Sequence, residues 1–262
     1  MAPGIHKNMP IEIYHASSGI SNSGLGLIAQ SPRHYHKRAV SNTKALADGR
    51  MIHAAILEPE KFQEQYIFGP DVSRATKAWK TFESANFGKI CLKPSETVGL
   101  EQAVDAIHNH PLAKVLLRNA EIEQSMAWVD PETGVLCRIR PDIISHGSMA
   151  DLKKTACSSP KQFARSCVKY GYHRQAAMYM DGYEILTGER LEDFFFIAIE
   201  MTLPFCCEVY RVPPEMMESG KNQYRKSLQI YAECLKTDNW PGYGGGALSN
   251  DINWPTWADK EI

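Results

Sequence analysis

One stretch constrains the fold more than any other: residues 125–154, SMAWVDPETGVLCRIRPDIISHGSMADLKK. It reads as a strand, a tight turn, a second strand, another turn and a third short strand. Asp130-Pro131-Glu132-Thr133-Gly134 and His146-Gly147-Ser148 supply the turn chemistry. Val135, Cys137 and Ile139 alternate with Leu136, Arg138 and Arg140, the period of a strand with one apolar face. Asp142 follows the second strand, and Asp151-Leu152-Lys153 stands nine residues further on. Alternate side chains of a strand leave the same face, so Asp151 and Lys153 must emerge together.

Two carboxylates and a lysine on adjacent strand ends have a specific chemical use. Mg²⁺ takes hard oxygen ligands and keeps several waters. Asp142 and Asp151 offer two such ligands, and the Leu152 carbonyl offers a third. Lys153 could then stabilise negative charge developing on an attacked phosphate. A bound metal makes water nucleophilic at neutral pH. The bland alternative is a surface Asp and Lys on a hairpin.

The remainder of the chain reads as α/β, with helical patterning before and after the strands. Ile11 to Ile20 is expected to be a short extended lead-in, and Ser21 to Gln30 a helix capped by Ser21 or Ser23. Ser31-Pro32 opens RHYHKR, a basic cluster of Arg33, Lys37 and Arg38. It reads either as a solvated helix face or as a phosphate-binding patch. Leu46 to Leu57 is an amphipathic helix with His53 at the border of its apolar stripe. Residues 60–90 predict packed loops and a helix near Ala75–Ala85, and Ser95 to Asn109 a helix capped by Ser95. Another helix starts at Pro111.

After the strands, Ser159-Pro160 begins a helix, and Tyr172 to Thr187 forms a second one closed by Gly188. Gln175 and Tyr179 share a face of it, either as site residues or as ordinary helix surface. Leu191–Met201 and Phe205–Val212 are strands, the first apolar enough to be central. Pro214 to Lys236 is a long helix. A tryptophan-rich tail follows, expected to dock on the body or on a neighbouring subunit.

Bulk properties narrow the class. The 262 residues suit one elaborated domain over 1–262. Within it, residues 1–120 are the helical region, 121–212 the catalytic sheet, and 213–262 the C-terminal helix and tail. Formal net charge is −1, so any DNA-binding surface must be a local patch. Seven cysteines without regular spacing do not make a disulfide framework. The first ten residues lack an apolar signal core, and no apolar run suits a membrane span. The expectation is a cytoplasmic protein with reduced thiols.

His53, Glu123, Asp142, Asp151-x-Lys153 and Gln175-x-x-x-Tyr179 stand in a fixed order that resembles the RecB/lambda-exonuclease branch of the PD-(D/E)xK nucleases. The match is closer still to the RecE-type exonucleases, the exodeoxyribonuclease VIII nuclease domain. Supporting strings are Tyr14-His15-Ala16, Leu57-Glu58-Pro59-Glu60-Lys61-Phe62, Trp128-Val129-Asp130-Pro131-Glu132-Thr133-Gly134, Arg138-Ile139-Arg140-Pro141-Asp142 and Tyr172-His173-Arg174-Gln175. They run from about residue 14 to the tail. Asp151 stands where the wider superfamily has Glu.

The resemblance implies a mixed central sheet flanked by helices. It implies Mg²⁺ dependence, with Mn²⁺ as a substitute, and 5′→3′ digestion of one strand of linear double-stranded DNA. It further implies a homo-oligomeric ring, trimer or tetramer, and a single-strand annealing partner of the RecT type. By motif position Asp142, Asp151, the Leu152 carbonyl and His53 would hold metal, and Lys153 would be the catalytic lysine. Glu123 would support the second metal or orient water, with Glu121 the alternative. Gln175 and Tyr179 would hold the site or the DNA backbone. Arg38, with Arg33 and Lys37, would meet the DNA end; Arg138 and Arg140 are either strand surface or phosphate contacts. Cys206, Cys207 and Cys234 are too few and too scattered for an iron–sulfur cluster. The rival readings are a site-specific endonuclease of the same fold and a catalytically silent DNA-binding or annealing module.

Overall fold

The computed structural model describes residues 1–39, 44–245, 249, 251 and 252. It begins with a mostly helical region: β1 (Gly4–His6), α1 (Ile11–Ala16), α2 (Asn22–Gln30), α3 (Pro32–His36), α4 (Lys44–Leu57) and α5 (Pro59–Gln65). β2 (Tyr66–Phe68), α6 (Lys77–Ala85), β3 (Ile90–Leu92), α7 (Leu100–Asn109) and α8 (Pro111–Leu117) come next. Five strands follow: β4 (Glu121–Ile122), β5 (Ser125–Val129), β6 (Leu136–Ile139), β7 (Ile143–Ser145) and β8 (Ser148–Thr155). Beyond them lie α9 (Pro160–Tyr170), α10 (Tyr172–Thr187), β9 (Asp193–Glu200), β10 (Cys207–Arg211) and α11 (Pro214–Thr237).

The central sheet has the order β10-β9-β8-β7-β4 and is mixed, with β8 and β9 parallel and the other pairs antiparallel. β1, β5 and β6 make a separate antiparallel sheet, and β2 and β3 a parallel pair. Alternation along β8 and β9 sorts the two faces. Met149, Phe194, Phe196 and Ala198 pack with Leu25 and Ile28 of α2, Phe163 of α9 and Leu228 of α11. Ala150, Leu152, Ile197 and Ile199 pack with Ile52 and Ile56 of α4, Ile107 of α7 and Leu116 of α8. Complete burial of a side chain such as Phe194 or Phe196 contributes about 1.5–3 kcal/mol. Helices thus cover both sheet faces, and polar side chains on β8 must find partners within the protein.

Helices α10 and α11 approach so closely that a Cβ on Gly220 would lie 2.0 Å from the His173 carbonyl oxygen. Only glycine fits there. No helix among the described residues is long and apolar enough to cross a membrane.

Four readings of the sequence require correction. Residues 11–16, expected to be extended, form α1. The Arg138 guanidinium gathers the carbonyls of Tyr14 and Ser17 at the end of that helix, a partner that local sequence does not reveal. Ser95 does not cap a helix: its hydroxyl donates to Asp71, and α7 begins only after Gly99 at φ 82°. The stretch 125–154 forms four strands, split between two sheets. Pro141, with no N–H to give a ladder, stands where the chain leaves β6 for β7. Glu123 lies not within a strand but at φ 54° between β4 and β5.

The tail docks in its first residues. Trp240 stacks on His36, ring centroids 4.9 Å apart, and on Tyr35 at 6.0 Å. Tyr243 accepts a hydrogen bond from Gln30 at 2.9 Å. Residues 253–262, with Trp254 and Trp257, lie outside the described residues.

Candidate active site

β7 has three residues and β8 has eight, so β7 covers only the beginning of its neighbour's edge. Pairing stops at Ile143↔Ala150. Beyond that point the Leu152 amide and carbonyl have no strand to bond. The Asp142 carboxylate takes the amide at 2.7 Å, and His53 Nε2 faces the carbonyl at 3.2 Å. A short strand therefore creates both the seat of Asp142 and the exposed peptide oxygen.

His53 reaches the site from α4, where its neighbours Ile52 and Ile56 are anchored in the core. Its Nδ1 lies 3.5 Å from Asp142 Oδ2 and 3.7 Å from Glu123 Oε1. The positive φ of Glu123 turns its amide onto the Asp142 carbonyl at 3.0 Å, which ties the two acids together. Arg140 holds the other Glu123 oxygen at 2.5 Å and also donates to Ser125 Oγ and the Met9 carbonyl. Glu121, the alternative, is half-exposed and pairs instead with Lys7 at 2.9 Å.

Asp151 and Lys153 do leave the same face of β8, with Lys153 Nζ 2.6 Å from Asp151 Oδ2. Gln175 on α10 bridges the pair. Its Nε2 donates to Asp151 Oδ1, and its Oε1 accepts from Lys153 at 2.9 Å. Tyr179, one turn on, is buried beside Gln175, and burial pushes its phenol well above the usual range. Tyr172 lies on the same helix face as Gln175, and its ring stands 4.4 Å from Lys153 Nζ. Sequence reasoning assigns Tyr172 no role, although its i, i+3 spacing to Gln175 is an available signal.

The electrostatics are those of a site short of positive charge. Burial and neighbouring Asp151 push the Asp142 carboxyl up to about 8. Burial would lower His53, but Asp142, Glu123 and Asp151 outweigh it and raise the imidazole to about 9. Burial likewise opposes the charge on Lys153, and Asp151 and Asp142 overcome it to hold its pKa up. Glu123 is kept below the usual range because His53 and Arg140 outweigh its burial.

The residues fit a divalent cation. Ligand atoms of His53, Glu123 and Asp142 lie within 4.8 Å of one another. Asp151 Oδ2 is buried and, despite the ion pair with Lys153, makes no hydrogen bond. Carboxylate and carbonyl oxygens with one imidazole suit Mg²⁺ or Mn²⁺. As a ligand His53 would have to be neutral, so a cation held there would displace its proton.

Other residues singled out from sequence lie elsewhere. Arg138 and Arg140 are committed to protein partners: Arg138 clamps the end of α1, and Arg140 holds Glu123. Each guanidinium is thus engaged with protein groups. Arg33, Lys37 and Arg38 are placed on and just after α3, with Lys37 and Arg38 exposed. The Arg38 guanidinium lies 3.8 Å over the Tyr35 ring.

A family model described as a PDDEXK-like domain of unknown function (DUF3799) matches residues 21–250. Among solved structures, a proposed exonuclease from Eubacterium rectale superposes with a TM-score of 0.64 at 15% identity. The match covers 95% of this chain and 97% of that one. A phage related exonuclease from Haemophilus somnus 129PT is similar at TM-score 0.37 and 12% identity, over 87% and 100% of the two chains. No curated protein matches the sequence.

Proposed function

Since this chain belongs to the DUF3799 family of PDDEXK-like domains, we propose that it is a divalent-metal-dependent nuclease. More narrowly, it is a 5′→3′ exodeoxyribonuclease that digests one strand of linear duplex DNA and leaves 3′ single-stranded ends. One observation carries the reading. Lys153 is held between Asp151 and Gln175, beside a donor set of His53, Glu123 and Asp142. The exonuclease name of the similar Eubacterium rectale structure is consistent with it.

The chemistry is phosphodiester hydrolysis. Water attacks phosphorus, the P–O3′ bond breaks, and the leaving oxygen takes up a proton. Mg²⁺ or Mn²⁺ held by Asp142, Asp151, Glu123, His53 and the Leu152 carbonyl would supply Lewis acidity to water and phosphate. Lys153 donates to the non-bridging oxygens as charge builds on them, from a position fixed before the reaction starts. Gln175 keeps both ends of the Asp151–Lys153 pair in register, and buried Tyr179 supports Gln175 from behind. Arg140 prevents Glu123 from swinging away.

The deciding assay offers linear duplex, nicked circle and closed circle with Mg²⁺, Mn²⁺ or EDTA. Metal-dependent release of mononucleotides from linear DNA alone is the expected result. Cleavage of closed circles would make the protein an endonuclease, and full activity in EDTA would refute the metal site. On the same reading the working particle is a ring of three or four chains with an annealing protein as partner. Sedimentation with and without DNA tests the ring.

A further inference from the structure

Helix α9 has the sequence PKQFARSCVKY and carries no acid. Its buried side is Phe163 and Cys167, which fix its orientation on the body. Lys161, Arg165 and Lys169 are all exposed and follow at four-residue intervals. That spacing keeps them on one side of the helix in steps of ~6 Å. Among the described residues no carboxylate pairs with any of the three.

The row ends at an aromatic step that leads inward. Tyr170 is 55% exposed, and Lys169 Nζ lies 5.2 Å from its ring. Gly171, at φ 67°, turns the chain so sharply that Tyr172 opens α10 beside it. The Tyr170 and Tyr172 rings are 5.7 Å apart at 29°, a stacked arrangement. Lys153 Nζ lies over the far ring at 4.4 Å. A row of three unpaired cations therefore ends at an exposed ring, which leads through half-buried Tyr172 to the lysine of the candidate active site.

We propose that α9 is the track on which a DNA strand enters that site. Lys161, Arg165 and Lys169 take successive backbone phosphates. Tyr170 stacks against the base next to the phosphate that Lys153 meets. Positive charge along the backbone with a ring under a base is how proteins hold single strands without reading sequence. The inference rests on the nuclease reading above, because it assigns the substrate strand of the same site. An acidic protein partner would use the cations but has no need of the ring.

Binding of a fluorescent single-stranded oligonucleotide, with Ca²⁺ in place of Mg²⁺ to prevent turnover, tests this. The variant Lys161→Ala/Arg165→Ala/Lys169→Ala should flatten the slope of log affinity against log salt by about 2, at ~0.7 per phosphate contact. Tyr170→Ala should weaken binding roughly 5- to 100-fold, the range for one lost base stack, and Tyr170→Trp should keep it. An oligonucleotide with an abasic residue at the stacked position should erase the difference between Tyr170→Ala and the parent. All four side chains are exposed, so thermal melts should stay parental. An unchanged salt slope in the triple variant, or parental affinity of Tyr170→Ala on every oligonucleotide, overturns the track. If the parent cleaves and the variants match it, the track fails and the nuclease reading stands. If the parent binds but never cleaves with Mg²⁺ or Mn²⁺, the nuclease reading fails and the binding data still judge the track.

Discussion

Asp142 accepts the Leu152 amide at 2.7 Å, across a gap in the sheet that would otherwise leave that amide unbonded. The acid thus caps the sheet where a neighbouring strand is missing. Its carboxyl, raised from 3.8 to about 8, binds its proton more tightly in the folded than in the unfolded chain. Stability of the metal-free protein must therefore fall as pH rises through that window. His53, raised from 6.5 to about 9, acts in the same direction: its contribution is full below 6.5 and lost as pH passes 9. The two groups face each other and titrate as a pair, and both shifts make stability decline as pH rises from the acid side through neutrality. Urea unfolding in EDTA at about pH 5, 7 and 9 measures it, and a flat profile would contradict the site electrostatics.

Asp142→Asn follows from the same relationship. The amide oxygen can still accept from Leu152, but the uncompensated charge is gone. At about pH 8 without metal the variant should be more stable than the parent by roughly 1–3 kcal/mol, and its cleavage should be abolished. A variant that unfolds at room temperature would make Asp142 a purely structural residue.

Lys153→Ala should lose roughly 10²–10³-fold in turnover, the usual effect of removing one donor to a developing oxyanion. DNA affinity should change far less, because Lys153 is one cation among several. Single-turnover rates separate the two effects, and parental turnover would remove Lys153 from the mechanism. Gln175→Ala should fall between Lys153→Ala and the parent, since it frees the Asp151–Lys153 pair without deleting either member.

Arg140→Met tests whether this side chain holds Glu123 or meets phosphate. The ion pair is mostly buried, and breaking one member of such a pair costs about 3–5 kcal/mol. The variant should melt much lower. Glu123→Leu added to it should restore some of the loss, because the stranded acid is then removed. Parental stability with weakened, salt-sensitive DNA binding would return Arg140 to the DNA surface.

How far the sequence discloses this arrangement depends on the range of the interactions. Strand periodicity alone puts Asp151 and Lys153 on one face, and they meet there. Glycines at both ends of α10, each in the left-handed region, mark its limits by local backbone energetics. The division of residues 125–154 between two sheets depends on partners far along the chain. β1 claims β5, and β8 pairs with β9 only after two helices intervene. The protein partners of the two guanidinium groups are hidden from the sequence for a related reason. Alternation sets Arg138 opposite the buried Cys137 and Ile139 of β6, with Arg140 just beyond the end of the strand. No local rule says that α1 and Glu123 lie waiting there.

The last prediction concerns Arg38. Its guanidinium lies 3.8 Å above the Tyr35 ring and donates to the Tyr35 carbonyl at 2.7 Å. Trp240 stacks on Tyr35 as well, so the platform beneath Arg38 is braced by the tail. A cation oriented in this way loses less freedom on binding than a free surface arginine. Its outward N–H groups suit the fork geometry of a terminal phosphate. If Arg38 anchors the 5′ end, Arg38→Ala should slow digestion of 5′-phosphorylated DNA about 10-fold or more. Ends bearing a 5′-hydroxyl should be slowed much less. Trp240→Ala should weaken the same preference without touching any charge. A helix face that merely adds positive field predicts equal slowing on both ends, recovered at low salt. Rates on the two substrates at two salt concentrations separate these cases, and equal slowing at both salts would reject the anchor.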